Sequence, residues 1–228
     1  MELSGERSTK QMREILQKLC LLLVIILIFG TALNFNQIPW SLESYNLQDR
    51  QDMYQIPDIE LKMISNNQIK VKDKIIKYEN VSDNTLKWYA YQIEKCPDYL
   101  LSTVDDIYIV TRDRLLELKP ESKSTTIGFH KHYGTYSIVV LSDYKTTDRT
   151  IFLHEAIHAF DAEYNITASP IFINIYETEG QNYDTRAKNI KEYFAYSYSD
   201  YLTQDFNSSE YTQTTEFYKK LEDQYVRS

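Results

Sequence analysis

The chain has 228 residues, of which 43% are hydrophobic. This fits one folded domain with a terminal extension and excludes a wholly disordered protein. Its net charge of −8 at pH 7 excludes the positive surface that nucleic-acid binding requires and favours a monomer. Cys20 borders an apolar N-terminal run and is not expected to pair with Cys96, so we predict no disulfide framework.

The N-terminal segment has the pattern of an export signal. Arg13 and Lys18 precede an uninterrupted apolar run, Leu19 to Phe29, and this order is typical of a secretory signal. Extended to residue 35, the run reaches the short end of the roughly 17–25 residues that span a bilayer. We therefore predict that residues 1–35 are a signal peptide or a single-pass membrane anchor. Both interpretations place the rest of the chain outside the cell, either secreted or anchored to the membrane.

The segment after the apolar run begins without any sustained periodicity. Residues 36–80 start as a polar stretch with two prolines, and they are predicted to be a linker and irregular arm. Residues 81–228 are predicted to form the folded domain. Ser82 opens a stretch typical of a capped helix that ends near Cys96. Strands are then predicted at 107–110, 126–129 and 136–141. The polar stretch 130–135 is predicted to be the turn that joins the last two strands.

The last third of the chain has helical periodicity. Apolar and aromatic residues recur at helical spacing and predict helices at 150–164, 189–202 and 212–225. Strands followed by helices indicate an α+β fold in which a small mixed sheet packs on helices.

The motif His154-Glu155-Ala156-Ile157-His158 lies inside the first of these helices. Residues four apart are neighbours on one helical face, so both imidazoles can bind one ion. Zinc readily takes histidine nitrogens, and a catalytic site leaves one position for water. Glu155 follows the first histidine, where its carboxylate can act as general base toward a zinc-bound water. The alternative is a chance match on an amphipathic helix, but two of only four histidines fall at this spacing.

A catalytic zinc site needs a third protein ligand. His130 and His132 fit poorly, because the sequence places both in a turn between strands. Glu192 is favoured because it precedes Tyr193-Phe194-Ala195, so its carboxylate lies beside apolar bulk and needs a partner. Its alternative is an ordinary surface glutamate. The acidic residues considered for this role are Glu177, Glu179, Asp184, Glu192 and Asp200.

Two segments together resemble a known family. HEAIHAFD at residues 154–161 and KEYFA at residues 191–195 are similar to the catalytic domain of the anthrax lethal factor family, which includes the secreted Pro-Pro endopeptidases of Gram-positive bacteria. The resemblance covers roughly residues 98–203. It implies a gluzincin-like metallopeptidase domain within 81–228, with zinc bound by His154, His158 and Glu192 and with Glu155 as base.

The resemblance has further implications, and the chain departs from the family at two places. A family tyrosine that donates to the oxyanion is matched by Tyr183, which lies two residues further from Glu192 than the family pattern. Tyr196 stands where the family has a glutamate. The family binds extended substrate along a strand that would be Tyr136–Leu141. Asp161 would support the ligand helix, or it would be a plain surface residue.

The sequence therefore predicts a zinc-dependent endopeptidase that acts outside the cytoplasm on a peptide or protein substrate. The N-terminal segment would contact the membrane if it is not cleaved. One alternative is a catalytically impaired surface binding module that keeps the metallopeptidase fold, and another is a membrane protein with an accidental motif. The cleavage preference and a role as toxin or in surface remodelling stay open.

Overall fold

The computed structural model describes residues 59–123, 125–144, 146 and 148–226. The predicted signal or anchor and most of the predicted arm lie outside these residues. In the part of the chain that is described, no helix has both the length and the apolarity needed to cross a bilayer.

The described residues form an α+β fold built on one mixed six-stranded sheet. The strands lie in the order β1-β2-β3-β4-β6-β5. The first three form an antiparallel meander, β3 and β6 both pair with β4 in parallel, and β5 pairs with β6 as an antiparallel hairpin. The bounds are β1 (Lys62–Ser65), β2 (Gln68–Val71), β3 (Lys74–Tyr78), β4 (Asp106–Val110), β5 (Gly128–Tyr133) and β6 (Tyr136–Ser142).

Four of the helices in the described residues confirm the sequence predictions, and three others, at Asp98–Leu101, Arg112–Leu118 and Pro170–Thr178, were not predicted. The helices that begin after Ser82, Thr150 and Asn189 match the sequence predictions within about one residue, as does the last helix. The bounds are α1 (Asp83–Lys95), α2 (Asp98–Leu101), α3 (Arg112–Leu118), α4 (Ile151–Tyr164), α5 (Pro170–Thr178), α6 (Ile190–Thr203) and α7 (Thr212–Val226). Short 3-10 turns, Ile166–Ala168 and Gly180–Asn182, flank α5.

The irregular arm predicted over 36–80 is wrong for residues 62–78, which form β1, β2 and β3. The prediction failed because it extended the polar, proline-containing character of residues 36–57 to this stretch, which is also rich in lysine. The buried side chains are nevertheless at strand spacing: Ile69 and Ile76 are fully buried and pair across β2 and β3.

The strand and turn predicted at 126–135 are shifted. β5 covers Gly128–Tyr133, and the turn is Gly134-Thr135, where Gly134 has a φ of 68°. A left-handed φ suits glycine because it has no Cβ. His130 and His132 therefore lie in a strand paired with β6 and not in a turn. Alternate residues of a strand point to the same face, so the two histidines lie side by side.

Helix α4 is buried between the sheet and α6. Phe152, Ala156, Ala159 and Phe160 are 0% exposed, which fixes the helix rotation. Its start is fixed as well, because the Phe152 backbone N–H donates to Gln92 Oε1 of α1 at 3.0 Å. The core therefore determines which way the remaining face of α4 points.

Candidate metal centre

The two motif histidines share the one face of α4 that is not packed in the core. Their side chains are 13% and 16% exposed, and the Nε2 atoms of His154 and His158 are 3.1 Å apart. Both rings therefore direct a nitrogen at the same small volume, as the helical spacing predicts.

Glu192 reaches this volume from the first turn of α6. The Asn189 side chain caps that helix by accepting from the backbone N–H groups of Lys191 and Glu192 at 3.0 and 3.1 Å. The next residues, Tyr193 and Phe194, are 0% exposed and fix the rotation of α6. The cap and the buried rings therefore direct the Glu192 side chain back toward α4.

The three side chains converge on one point. Glu192 Oε2 lies 3.4 Å from His154 Nε2, and its Oε1 lies 3.5 Å from His158 Nε2. His154, His158 and Glu192 are the only group of three or more potential metal ligands found among the described residues. The structure thus brings together the three residues that the sequence predicted as ligands.

The donor set suits a zinc ion. Zinc–nitrogen and zinc–oxygen bonds of about 2.0–2.2 Å in a tetrahedron place ligand atoms roughly 3.3–3.5 Å apart. The observed separations of 3.1, 3.4 and 3.5 Å are close to these values. Hydrogen bonding from both histidines also holds the pKa of Glu192 well below its usual range, so the carboxylate is anionic and available to a cation.

Glu155 lies on the buried side of the same helix, between α4 and β5. It is 8% exposed, and burial raises its pKa to about 7, although hydrogen bonding from the His130 backbone opposes the shift. A Cβ added at Gly128 would lie 3.3 Å from Glu155 Oε1, so the absence of a side chain at this position of β5 makes room for the carboxylate. A carboxylate whose pKa is near neutrality can both accept and return a proton.

The three ligands and Glu155 line one cleft of about 800 Å³. Its wall on the sheet side is formed by β5, from which His130 and His132 also line the cleft. Both histidines are within hydrogen-bonding distance of Ser137 Oγ, at 3.2 and 2.9 Å. Sequence reasoning missed their place at the cleft, although their i, i+2 spacing is a signal for one face of a strand.

The strand assigned to extended substrate needs correction. Tyr136–Leu141 belongs to β6, which pairs with β4 on one side and β5 on the other, so neither of its edges can accept another strand. The edge strand beside the cleft is β5. The resemblance assigned substrate to the strand just before the motif helix, and in the fold that strand is the inner one of the hairpin.

Tyr183 does not line the cleft in this structure. Its hydroxyl donates to Asp200 Oδ2 at 2.5 Å, and its ring packs against Tyr193 and Tyr211. Burial, with the Asp200 contact second, raises the pKa of Tyr183. The structure therefore engages this hydroxyl in the packing behind α6 and does not bring it together with the ligands.

Tyr196 is the tyrosine that reaches the centre. It lines the cleft, its ring centroid is 4.4 Å from that of His154, and the Arg186 guanidinium lies 4.5 Å from it. Nδ1 of His154 is buried without a hydrogen-bond partner among the described residues. Metal-binding histidines usually donate this N–H to an acceptor. Because no acceptor is found in the described part of the chain, the contact that holds the His154 ring is its packing against Tyr196.

The remaining acidic residues have other roles. Asp161 is buried and accepts from the backbone N–H and the hydroxyl of Thr167, both at 2.7 Å, so it joins α4 to the next turn. Glu179 accepts from backbone N–H groups at the start of α7, Asp184 pairs with Arg186, and Glu177 is exposed.

The centre thus consists of two helices and one edge strand around a narrow, polar cleft. Comparison of the chain with protein-family models, with curated proteins and with solved structures finds no match.

Proposed function

We propose that this chain is a zinc-dependent endopeptidase with a gluzincin-like domain, acting outside the cytoplasm on peptide or protein substrates. The observation that carries the proposal is the convergence of His154, His158 and Glu192 on one point beside the buried Glu155. Two histidines from one helix and a glutamate from a second form a known donor set for catalytic zinc.

The ion would be held by the Nε2 atoms of the two histidines and by the Glu192 carboxylate. When bound, zinc lowers the pKa of a coordinated water and polarises a carbonyl group. Two imidazole nitrogens and a carboxylate within 3.5 Å of each other repel one another unless a cation or proton lies between them.

Glu155 is the proposed general base. Its carboxylate lines the cleft beside the two histidines, where it can remove a proton from the attacking water and then give it to the leaving amine. Burial is the main cause of the raised pKa of Glu155, and the negative charge of Glu192 adds to it.

The proposed substrate binds as an extended strand along β5. This edge lines the cleft, and β5 pairs with another strand only on its other side, with β6. Strand addition supplies main-chain hydrogen bonds for any sequence, and it would lay the peptide across the cleft beside Glu155.

The test uses the full-length chain, its metal content and a peptide library. We expect one zinc per chain and cleavage that a chelator abolishes and zinc restores. Glu155→Gln is expected to keep zinc and to lower cleavage by at least about 100-fold. Glu163→Gln, an exposed position on the same helix, is the matched control and should leave both unchanged.

Each alternative has its own outcome in this experiment. Stoichiometric zinc without cleavage of any peptide would favour the binding module. A chain that retains no zinc would contradict the metal centre, and with it the proposed enzyme. Full activity of Glu155→Gln would contradict the role of the base alone.

A further inference from the structure

The four tyrosines of α6 have different surroundings. Three of them make hydrogen bonds inside the fold: Tyr193 with Thr214 at 2.7 Å, Tyr198 with Tyr99 at 2.6 Å and Tyr201 with Glu222 at 3.1 Å. The fourth, Tyr196, makes no hydrogen bond with any part of the chain that the structure describes. Its hydroxyl is neither hydrogen-bonded nor fully buried, and the residue lines the cleft.

The ring of Tyr196 is held firmly although its hydroxyl is free. The ring centroids of His154 and Tyr196 are 4.4 Å apart. The Arg186 guanidinium lies 4.5 Å from the Tyr196 ring centroid. Arg186 is itself fixed by Asp184, with contacts of 2.8 to 3.2 Å. The phenol is therefore a positioned donor and not a mobile surface group.

Tyr196 also has the correct place relative to the proposed ligands. It follows Glu192 by four residues, so both side chains leave α6 on the same face, toward the cleft. Its ring contacts one of the two histidines. A carbonyl group bound close to the ligands and to Glu155 would thus lie in the cleft that Tyr196 lines.

We propose that Tyr196 is a catalytic residue whose hydroxyl donates a hydrogen bond to the substrate carbonyl oxygen as that oxygen becomes negative during hydrolysis. The inference rests on the proposed endopeptidase function. Acyl transfer places negative charge on this oxygen, and a fixed donor stabilises it more than the ground state. Tyr183 is the competing donor, but its hydroxyl is occupied by Asp200.

Tyr196→Phe removes the hydroxyl and keeps the ring against His154. With the library peptide that the wild type cleaves fastest, we expect kcat to fall by about 100-fold while KM changes by less than about threefold. Zinc content should be unchanged. Tyr201→Phe, on the same helix with its hydroxyl directed at Glu222, is the matched control and should keep wild-type kcat.

A binding measurement separates catalysis from positioning. A phosphinic analogue of the same peptide imitates the charged tetrahedral state, and its affinity should fall about as much as kcat in Tyr196→Phe. The uncleaved peptide should bind the zinc-loaded Glu155→Gln and Glu155→Gln/Tyr196→Phe proteins equally well. If Tyr196 only positions His154, Tyr196→Phe would behave as wild type in both assays and Tyr196→Leu alone would lose zinc affinity.

The outcomes separate this inference from the function on which it rests. Wild-type kcat in Tyr196→Phe, or a comparable loss that appears only in Tyr183→Phe, would overturn the inference and leave the endopeptidase intact. A wild-type chain that holds zinc but cleaves nothing would overturn the proposed function, and the inference with it.

Discussion

Gly128 connects the edge strand to the proposed base, and its replacement by alanine tests that contact. The new Cβ would lie 3.1 Å from Leu141 Cδ2 and 3.3 Å from both Cγ and Oε1 of Glu155. Carbon atoms prefer about 3.5–4.0 Å, so the neighbours must move by a few tenths of an ångström. The Glu155 side chain is the softer neighbour, and it should move most.

This displacement sets the expected loss of stability and the expected loss of kcat in Gly128→Ala. Overpacking a core costs about 1–3 kcal/mol, and we expect the lower end because a side chain can give way. About 1 kcal/mol corresponds to a fall in Tm of roughly 2–4 °C for a domain of this size. A misplacement of 1 Å costs on the order of 100-fold in rate, so a few tenths should lower kcat by up to about tenfold. Zinc content should not change, because neither contact involves a ligand.

Thermal unfolding and peptide cleavage measured on the same preparations make the test. Gly134→Ala is the control, since an added Cβ there meets nothing within 4 Å and the φ of 68° alone causes strain. It should lose about 1 kcal/mol of stability at unchanged kcat. If Gly128→Ala keeps both Tm and kcat, then β5 does not pack on Glu155 as described.

Three further predictions concern other parts of the fold. Gly180→Ala would place a Cβ 2.6 Å from Tyr176 and 2.8 Å from Tyr193, so urea titration should show a loss of about 2–3 kcal/mol; a smaller loss than in Gly134→Ala would contradict this packing. Burial lowers the pKa of His130 to about 4, so below about pH 6.5 the unfolded chain binds a proton that the folded chain does not. The two pKa values alone would give a loss of about 2.6 kcal/mol as the pH drops from 6.5 to 4, and solvent screening of the partly exposed ring should reduce it to about 1–2 kcal/mol. His130→Gln should reduce that slope in chelator. Zinc at about 100 times its Kd should raise the unfolding free energy by about 2.7 kcal/mol. Glu192→Gln should lose most of that gain in calorimetry, whereas an equal gain would exclude Glu192 as a ligand.

Local sequence patterns were sufficient for the elements with strong periodicity. The helix that carries His154 and His158 was predictable because its apolar stripe and its four-residue spacing act within a single element. Strands β4 and β6 were predictable because their runs are continuously apolar, as expected for strands covered on both faces. The strands β1 to β3 were missed because they are rich in lysine and bury few residues: β1 is exposed throughout, and β2 and β3 bury only Ile69, Val71 and Ile76.

The assembly of the centre depended on contacts between distant residues. Glu192 was chosen among five acidic residues from its aromatic neighbours, but only the packing of α6 on α4 brings its oxygens within 3.5 Å of the histidines. Tyr183 and Tyr196 show most clearly what the sequence alone could not predict. The family resemblance favoured Tyr183 although its spacing from Glu192 is two residues too long, whereas in the fold its hydroxyl meets Asp200 and Tyr196 lines the cleft.

By itself, the sequence determined the α+β class, the paired imidazoles of His154 and His158, and Glu155 on the same helix. Helical and strand periodicity act over a few residues, so these features can be predicted locally. Only the tertiary structure decided which strand offers a free edge, where His130 and His132 point and which tyrosine faces the ligands. These depend on register and on helix-to-helix packing. Both are set by the burial of residues far apart in the chain, which no local pattern contains.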